Sequence, residues 1–245
     1  MIRALVLAFA VVAPAALFAE PCRNESYRGN DYTVCRVDAE SADLRLFLRD
    51  DEDRLFGQFS AVDRHLFSAG EKLVFAMNAG MYHADRSPVG LYVERSSHLK
   101  RLVVGASPGN FGLVPNGVFC IRGGRADVIE TERFQASAPD CTYATQSGPM
   151  LVIDGALHPR FLVDGTSKFI RNGVGTSADG SEAIFAISNN TVNFHAFGLL
   201  FRDHLKMPNA LYLDGKVSRL YAPSVSRNDL GFALGPIIGL VERLD

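Results

Sequence analysis

The chain has 245 residues, a formal net charge of −2, and 47% apolar against 21% charged residues. That is enough chain to bury a substantial core; the composition excludes a disordered scaffold, and the near-neutral balance offers no basic face for nucleic acid. Twenty-two glycines and 11 prolines point to many turns and short elements, not to a coiled coil or a helical bundle.

The first 19 residues, MIRALVLAFAVVAPAALFA, read as a secretory signal peptide. Arg3 is the positive start, residues 4–17 form the apolar stretch, and Ala19 is the small residue at the cleavage position. The run is short for a membrane anchor, which needs ~20 apolar residues. Cys22 follows Glu20-Pro21, not the small residues that precede a lipidated cysteine. The expectation is export, to the periplasm or the extracellular space, with no stable membrane span after cleavage.

Export decides how the four cysteines, Cys22, Cys35, Cys120 and Cys141, are read. In an oxidising compartment disulfides are the default. Four cysteines allow three connectivities; pairing in order closes the two shortest loops. A zinc site would want closer pairs such as CxxC, which the chain lacks.

Residues 20–245 read as a single domain. Leu44, Leu46 and Leu48 alternate with Arg45, Phe47 and Arg49 as in a strand. Leu55, Phe59, Val62, Leu66 and Phe67 recur at helical spacing towards Gly70. Residues 72–77 (KLVFAM) form a buried strand. Extended segments follow at 89–94, 99–104, 117–121 and 126–129, the last two joined by a hairpin at Gly123-Gly124. Residues 150–153 form a strand closed by an Asp154-Gly155 turn, and 183–188 another. Residues 191–205 carry an amphipathic helix with Val192, Phe194, Phe197, Leu200, Phe201 and Leu205 on its apolar stripe. Strands at 209–213 and 217–221 end the list. Strands outnumber helices and do not alternate strictly with them. The expected fold is therefore α+β, with mixed, mostly antiparallel sheets and a few packed helices.

Five polar segments, four of them glycine-bearing, sit at the ends of these strands: Asn78 to Tyr82, Gln146 to Pro149, Arg171 to Gly175, Ser188 to Asn190, and Asp214 to Ser218. Glycine lets a ligand approach the backbone, and loops on rigid strands are where sites usually lie. Any one of them is an ordinary turn; five in one domain argue for a shared polar site. Other candidates are weaker. Asp154 reads as a hairpin turn, and Glu130 and Glu132 as a solvated edge. The six histidines show no HxxxH pairing. Ser147-Gly148 is not a GxSxG elbow, and GASPGNFG at 105–112 lacks the Lys-Ser/Thr of a phosphate-cradling loop.

MNAGMY (77–82), PNGVF (115–119), QSGPMLV (146–152), RNGVG (171–175) and ALYLDGKVSRLY (210–221) occur in an order that resembles the phosphodiester glycosidase family, whose domain is shared with the lysosomal uncovering enzyme. The resemblance runs from about Leu44 to the C-terminus. It departs from the family pattern at Ala79 and at Lys216 and Arg219, which stand where the late motif usually has glycine and serine. Both late substitutions add positive charge beside Asp214, as a more anionic substrate would want.

The resemblance implies hydrolysis of a sugar-1-phosphodiester, with a glycan or a sugar phosphodiester as partner. Glycosidic cleavage passes through an oxocarbenium-like state that a carboxylate must stabilise, attack or supply with activated water. Asp214 is the candidate. The phosphodiester leaving group needs little protonation, so a cation can replace the second carboxylic acid; Arg171 suits that role because guanidinium meets phosphate oxygens bidentately. Asn78, Asn116, Ser147, Asn172 and Asn189 would orient sugar hydroxyls or phosphate oxygens. Backbone N–H groups at Gly80, Gly148 and Gly215 would help. Ser218 would bind phosphate or fix Asp214, and Tyr82 would stack on a sugar face or belong to the core. No cofactor is implied; a divalent ion beside Asp214 is compatible with the chemistry without being required. The alternative reading is a secreted glycan-binding module that keeps the pocket but does not turn over.

Overall fold

The computed structural model describes residues 20–214 and 217–244; the signal peptide read at 1–19, Gly215 and Lys216 lie outside them. The elements run β1 (Cys22–Tyr27), β2 (Asn30–Asp38), β3 (Asp43–Phe47), α1 (Phe59–Ser68), β4 (Glu71–Asn78), β5 (Tyr92–Glu94), β6 (Ser97–Lys100), β7 (Gly117–Arg122), β8 (Arg125–Glu130) and α2 (Thr131–Ser137). They continue with β9 (Tyr143–Ser147), β10 (Met150–Ile153), β11 (Ala156–Leu157), β12 (Asn172–Thr176), β13 (Glu182–Ser188), α3 (Phe194–Leu199), β14 (Asn209–Asp214), β15 (Leu220–Ala222), β16 (Arg227–Asn228) and β17 (Ile237–Arg243).

The strands pair antiparallel into three sheets. The first has the order β1-β2-β13-β12-β14-β10-β11, the second β16-β15-β4-β17-β3, the third β6-β5-β9-β7-β8. One apolar core is shared by all three: Phe185 and Leu211 from the first sheet, Phe75 and Ile238 from the second, Tyr92 and Phe119 from the third. Each sheet then has an outer face with its own helix. Phe197 and Phe201 cover the first sheet through Val34, Ile184 and Tyr212. Phe59, Val62 and Leu66 of α1 cover the second, and Phe134 of α2 the third. Strands buried on both faces explain the continuous apolar runs: in β13, Phe185 and Ile187 face the shared core while Ile184 and Ala186 face α3. The α+β, mostly antiparallel expectation is met.

Both disulfides follow the pairing in order. Cys22–Cys35 links cross-strand partners of the β1–β2 hairpin, and Cys120–Cys141 ties β7 to the segment entering β9. Among the described residues no helix is long and apolar enough to cross a membrane.

Several expected elements are corrected. The RNGVG stretch is not a loop: from Asn172 onward it is β12, between β13 and β14 in the middle of the first sheet. Its glycines leave space for neighbours rather than for a turn. A Cβ at Gly173 would lie 2.7 Å from Leu211 O, and one at Gly175 2.7 Å from Met207 Cγ. The helix expected over 191–205 starts later, because the Asn193 side chain caps it by accepting from Ala196 N at 2.8 Å, and it continues beyond Leu199 as a π-type turn, Leu200–His204. Leu55 is not helical; it bridges to Arg49, and α1 begins at Phe59. Glu130 caps α2 by accepting from Glu132 N and Arg133 N, so the edge where β8 ends is also a helix start. The strand expected over 217–221 begins only at Leu220.

Candidate functional site

The C-terminal ends of β4 and β14 and the N-terminal end of β12 meet at one point, where four of the expected residues form a closed network. The buried Asn172 carboxamide is its hub. Its Nδ2 donates to Asn78 O at 2.9 Å and Asn78 Oδ1 at 3.1 Å. Its Oδ1 accepts from Asp214 N at 3.0 Å and Ser218 Oγ at 3.2 Å. Ser218 Oγ lies 2.5 Å from Asp214 O, and Asn78 Oδ1 also accepts from Arg219 N at 2.9 Å. At the end of the β12–β14 ladder, where Asp214 pairs with Asn172, side chains also hold the backbone on both sides of the Asp214 side chain, and the residue itself is only half-buried. Fixing the main chain in this way sets where the Asp214 side chain begins.

Two phenols feel that carboxylate. Burial first, and then the negative charge of Asp214, push the Tyr82 hydroxyl above its ordinary value. Tyr212 is raised more strongly by burial and by Asp214, against the pull of Arg171 beside it. Tyr82 packs against Gly235, where a Cβ would lie 2.6 Å from Tyr82 Cγ, and the Arg86 guanidinium lies 5.5 Å from the ring centroid.

Arg171 is fully enclosed, with 0% exposure. Ser188 Oγ holds its backbone N at 2.9 Å. Nε donates to Val192 O and Nη2 to Ser167 O, each at 2.9 Å. The guanidinium lies 3.7 Å from the Phe194 centroid, 5.2 Å from Tyr212 and 5.5 Å from Phe169. Phe194 in turn stacks on Phe161 at 5.1 Å and Phe161 on His158 at 4.8 Å, so the aromatic column extends three rings away from the cation. Burial lowers the affinity of Arg171 for its proton and also holds the His158 imidazole below its ordinary value. Nη1 of Arg171 makes no hydrogen bond. A buried guanidinium with idle N–H donors is costly unless something anionic meets it.

The remaining expected residues form a supporting ring. Ser147 Oγ donates to Leu213 O at 2.9 Å, fixing the residue before Asp214. Asn116 Nδ2 donates to Phe111 O at 2.9 Å. Gly148 lets that loop close over it, since a Cβ would lie 2.6 Å from Asn116 Cβ and 2.9 Å from Phe111 O. Gly80, at φ +149°, passes Thr145, where a Cβ would lie 2.8 Å from Oγ1. Asn189 stands apart: it is exposed, and its Oδ1 accepts from Arg227 Nη1 at 2.6 Å and Thr33 Oγ1 at 3.2 Å. Gly215 lies outside the described residues.

Arg219 corrects the charge argument. Its guanidinium does not serve the Asp214 side of the site. It donates to Asp229 O, Phe232 O and Gln58 Oε1 at 2.7–3.0 Å and lies 5.1 Å from the Phe59 centroid. It holds the 229–232 loop in shape.

Sequence reasoning missed Tyr212, Asn110 and Phe194. The Asn110 side chain and the Arg171 guanidinium both sit at the Tyr212 hydroxyl. Tyr212 had a signal, two positions before Asp214 on one strand. Phe194 had none, because its place on the helix stripe reads as core. Among the described residues no three His, Cys, Asp or Glu side chains gather as a metal site.

A family model described as phosphodiester glycosidase matches residues 71–232. The chain is 31% identical to the uncharacterized Escherichia coli K12 protein YigE over 185 residues, 76% of this chain and 72% of that protein. Two solved structures share the fold. The catalytic domain of zebrafish N-acetylglucosamine-1-phosphodiester α-N-acetylglucosaminidase, auto-inhibited by its pro-peptide, has a TM-score of 0.60 at 12% identity, over 91% of this chain and 82% of that one. A hypothetical protein from Synechocystis has a TM-score of 0.59 at 12% identity; the match covers 91% of this chain and 61% of the cyanobacterial one.

Proposed function

The chain belongs to the phosphodiester glycosidase family, and from that premise we propose that it is an exported hydrolase that cleaves the sugar–oxygen bond of a sugar-1-phosphodiester in an envelope or extracellular glycan. Family and fold support a hydrolase. Two disulfides fit an oxidising compartment, periplasmic or extracellular. The observation that carries the reading is the network that fixes the Asp214 backbone from both sides, because it joins motifs far apart in the chain at one acidic residue.

In this reading Asp214 faces the positive charge that develops at the anomeric carbon and stabilises or attacks it. The leaving phosphate is a weak base, so it departs without a strong general acid. Arg171, enclosed behind Tyr212 and the Phe194 face, is a fixed positive charge whose field favours the departing phosphate without touching it. Asn78, Asn172 and Ser218 act on Asp214, and Tyr82 borders the sugar side. The test is a panel of p-nitrophenyl esters of GlcNAc-1-phosphate, glucose-1-phosphate and galactose-1-phosphate, with the matching p-nitrophenyl glycosides as comparison. Release of free sugar from at least one phosphodiester, faster than from its simple glycoside, is expected. Binding without release across the panel, from folded and disulfide-bonded protein, would contradict catalysis and favour a glycan-binding module.

A further inference from the structure

Two loops leave the same convergence of strand ends and carry exposed apolar tips. The 158–169 loop runs directly into Arg171 and presents Leu162 at 67% and Val163 at 74% exposure; the 229–232 loop presents Leu230 and Phe232 at 85% each. Neither is a slack connector. The Asn193 side chain donates to Val163 O at 3.0 Å and Gly165 O at 3.1 Å. The buried Arg219 guanidinium donates to Asp229 O and Phe232 O. Buried polar side chains thus hold four apolar side chains out in water, on either side of the Asp214 network.

The charges nearby are specific. Arg160 and Lys168, both exposed, flank the first tip and take part in no ion pair within the 158–169 loop or outside it among the described residues. The one carboxylate of that loop is Asp164. In the second loop Asp229 is committed internally, to Leu220 N and Arg227. The tips are therefore apolar and their rim is net cationic, in a chain whose overall charge is −2. Apolar side chains beside unpaired cations are what inserts at an anionic lipid headgroup layer. Single residues on two loop tips suit a fluid layer better than a rigid protein partner, which would want one contiguous complementary patch.

We propose that this face docks on an anionic lipid bilayer through Leu162, Val163, Leu230 and Phe232, so that the glycosyl phosphodiester reaching Asp214 is one whose phosphate carries a lipid. The substrate class rests on the proposed glycosidase activity, which the phosphodiester panel tests; the docking rests only on where the loops lie and is tested without turnover.

Co-sedimentation of the protein with large unilamellar vesicles of phosphatidylglycerol and phosphatidylethanolamine, against vesicles of phosphatidylcholine alone, tests the docking without turnover. The expected result is binding to the anionic vesicles that weakens with salt, and that falls at least tenfold in Leu230→Ser/Phe232→Ser and in Leu162→Ser/Val163→Ser. These positions are exposed, so the variants are expected to keep the wild-type melting temperature. Arg160→Glu/Lys168→Glu is expected to weaken binding to the anionic vesicles selectively. Wild type that binds neither vesicle, or variants that bind like wild type, would overturn the proposal. So would concentration-dependent self-association that the serine variants abolish, since the occupant would then be a second copy of the chain.

Discussion

Asp214→Asn is expected to lower release of sugar from a sugar-1-phosphodiester by about 10²–10⁴-fold, the range that one positioned acid–base or charge-stabilising group typically supplies. The substitution removes the negative charge and keeps the shape. Its main chain is held by Asn172 Oδ1 and Ser218 Oγ, and those bonds survive the change. Folding should therefore be almost untouched, with Tm within roughly 2–4 °C of wild type, the shift that ~1 kcal/mol gives at this size. The charge should also disappear from the surroundings of Tyr82, whose hydroxyl Asp214 now pushes up; the phenol of the variant should titrate at lower pH than that of wild type. Activity retained within a few fold, in a variant that melts normally, would remove Asp214 from the reaction.

Asn172→Ala is expected to damage both fold and turnover. The removed carboxamide bonds to Asn78 O, Asn78 Oδ1, Asp214 N and Ser218 Oγ, each at 3.2 Å or less. Asn78 and Asn172 are both completely buried, so water cannot replace the lost partners without opening the site. Each buried polar group left unpaired costs ~1–3 kcal/mol, and at least two are stranded, which gives a loss of roughly 2–6 kcal/mol. At about 2–4 °C per kcal/mol for a chain of this size, Tm should fall by on the order of 5–20 °C. Turnover should fall as well at temperatures where the variant is still folded, because the Asp214 backbone loses one of its two anchors. Ser218→Ala, which removes the other anchor at the half-buried rim, should cost only ~1 kcal/mol. An Asn172→Ala variant with wild-type Tm would mean that the network is incidental.

Much of the fold was legible wherever side-chain pattern and burial agree. The alternation of Leu44, Leu46 and Leu48 gave β3, the unbroken apolar run gave β13, and Gly123-Gly124 gave the turn between β7 and β8. Legibility failed where the neighbour and not the residue sets the conformation. β12 reads as a loop because two of its five positions are glycine, yet those glycines exist so that Leu211, Met207 and Phe201 can come close, and sequence distance hides all three.

The site divides in the same way. Asn78, Asn172, Asp214 and Ser218 were identifiable as polar residues at strand ends, and their motif order marked them as a set. That they touch depends on β4 and β12 lying in different sheets that meet at their ends. The role of Arg219 was unreadable, because its partners are carbonyl oxygens of Asp229 and Phe232, which any residue supplies. Arg171 stands out in the sequence as a cation beside glycine, but nothing local shows that it is sealed between Phe194, Tyr212 and Phe169.

The proposed glycosidase breaks the bond between the sugar and oxygen, at a carbon facing Asp214, and not the one between phosphorus and oxygen. Hydrolysis of the best phosphodiester of the panel in ¹⁸O-water, with mass spectrometry of both products, tests this directly. A glycosidase leaves the label on the anomeric hydroxyl of the released sugar and none on the phosphate. Label on the phosphate would mean attack at phosphorus and would contradict the account built around Asp214.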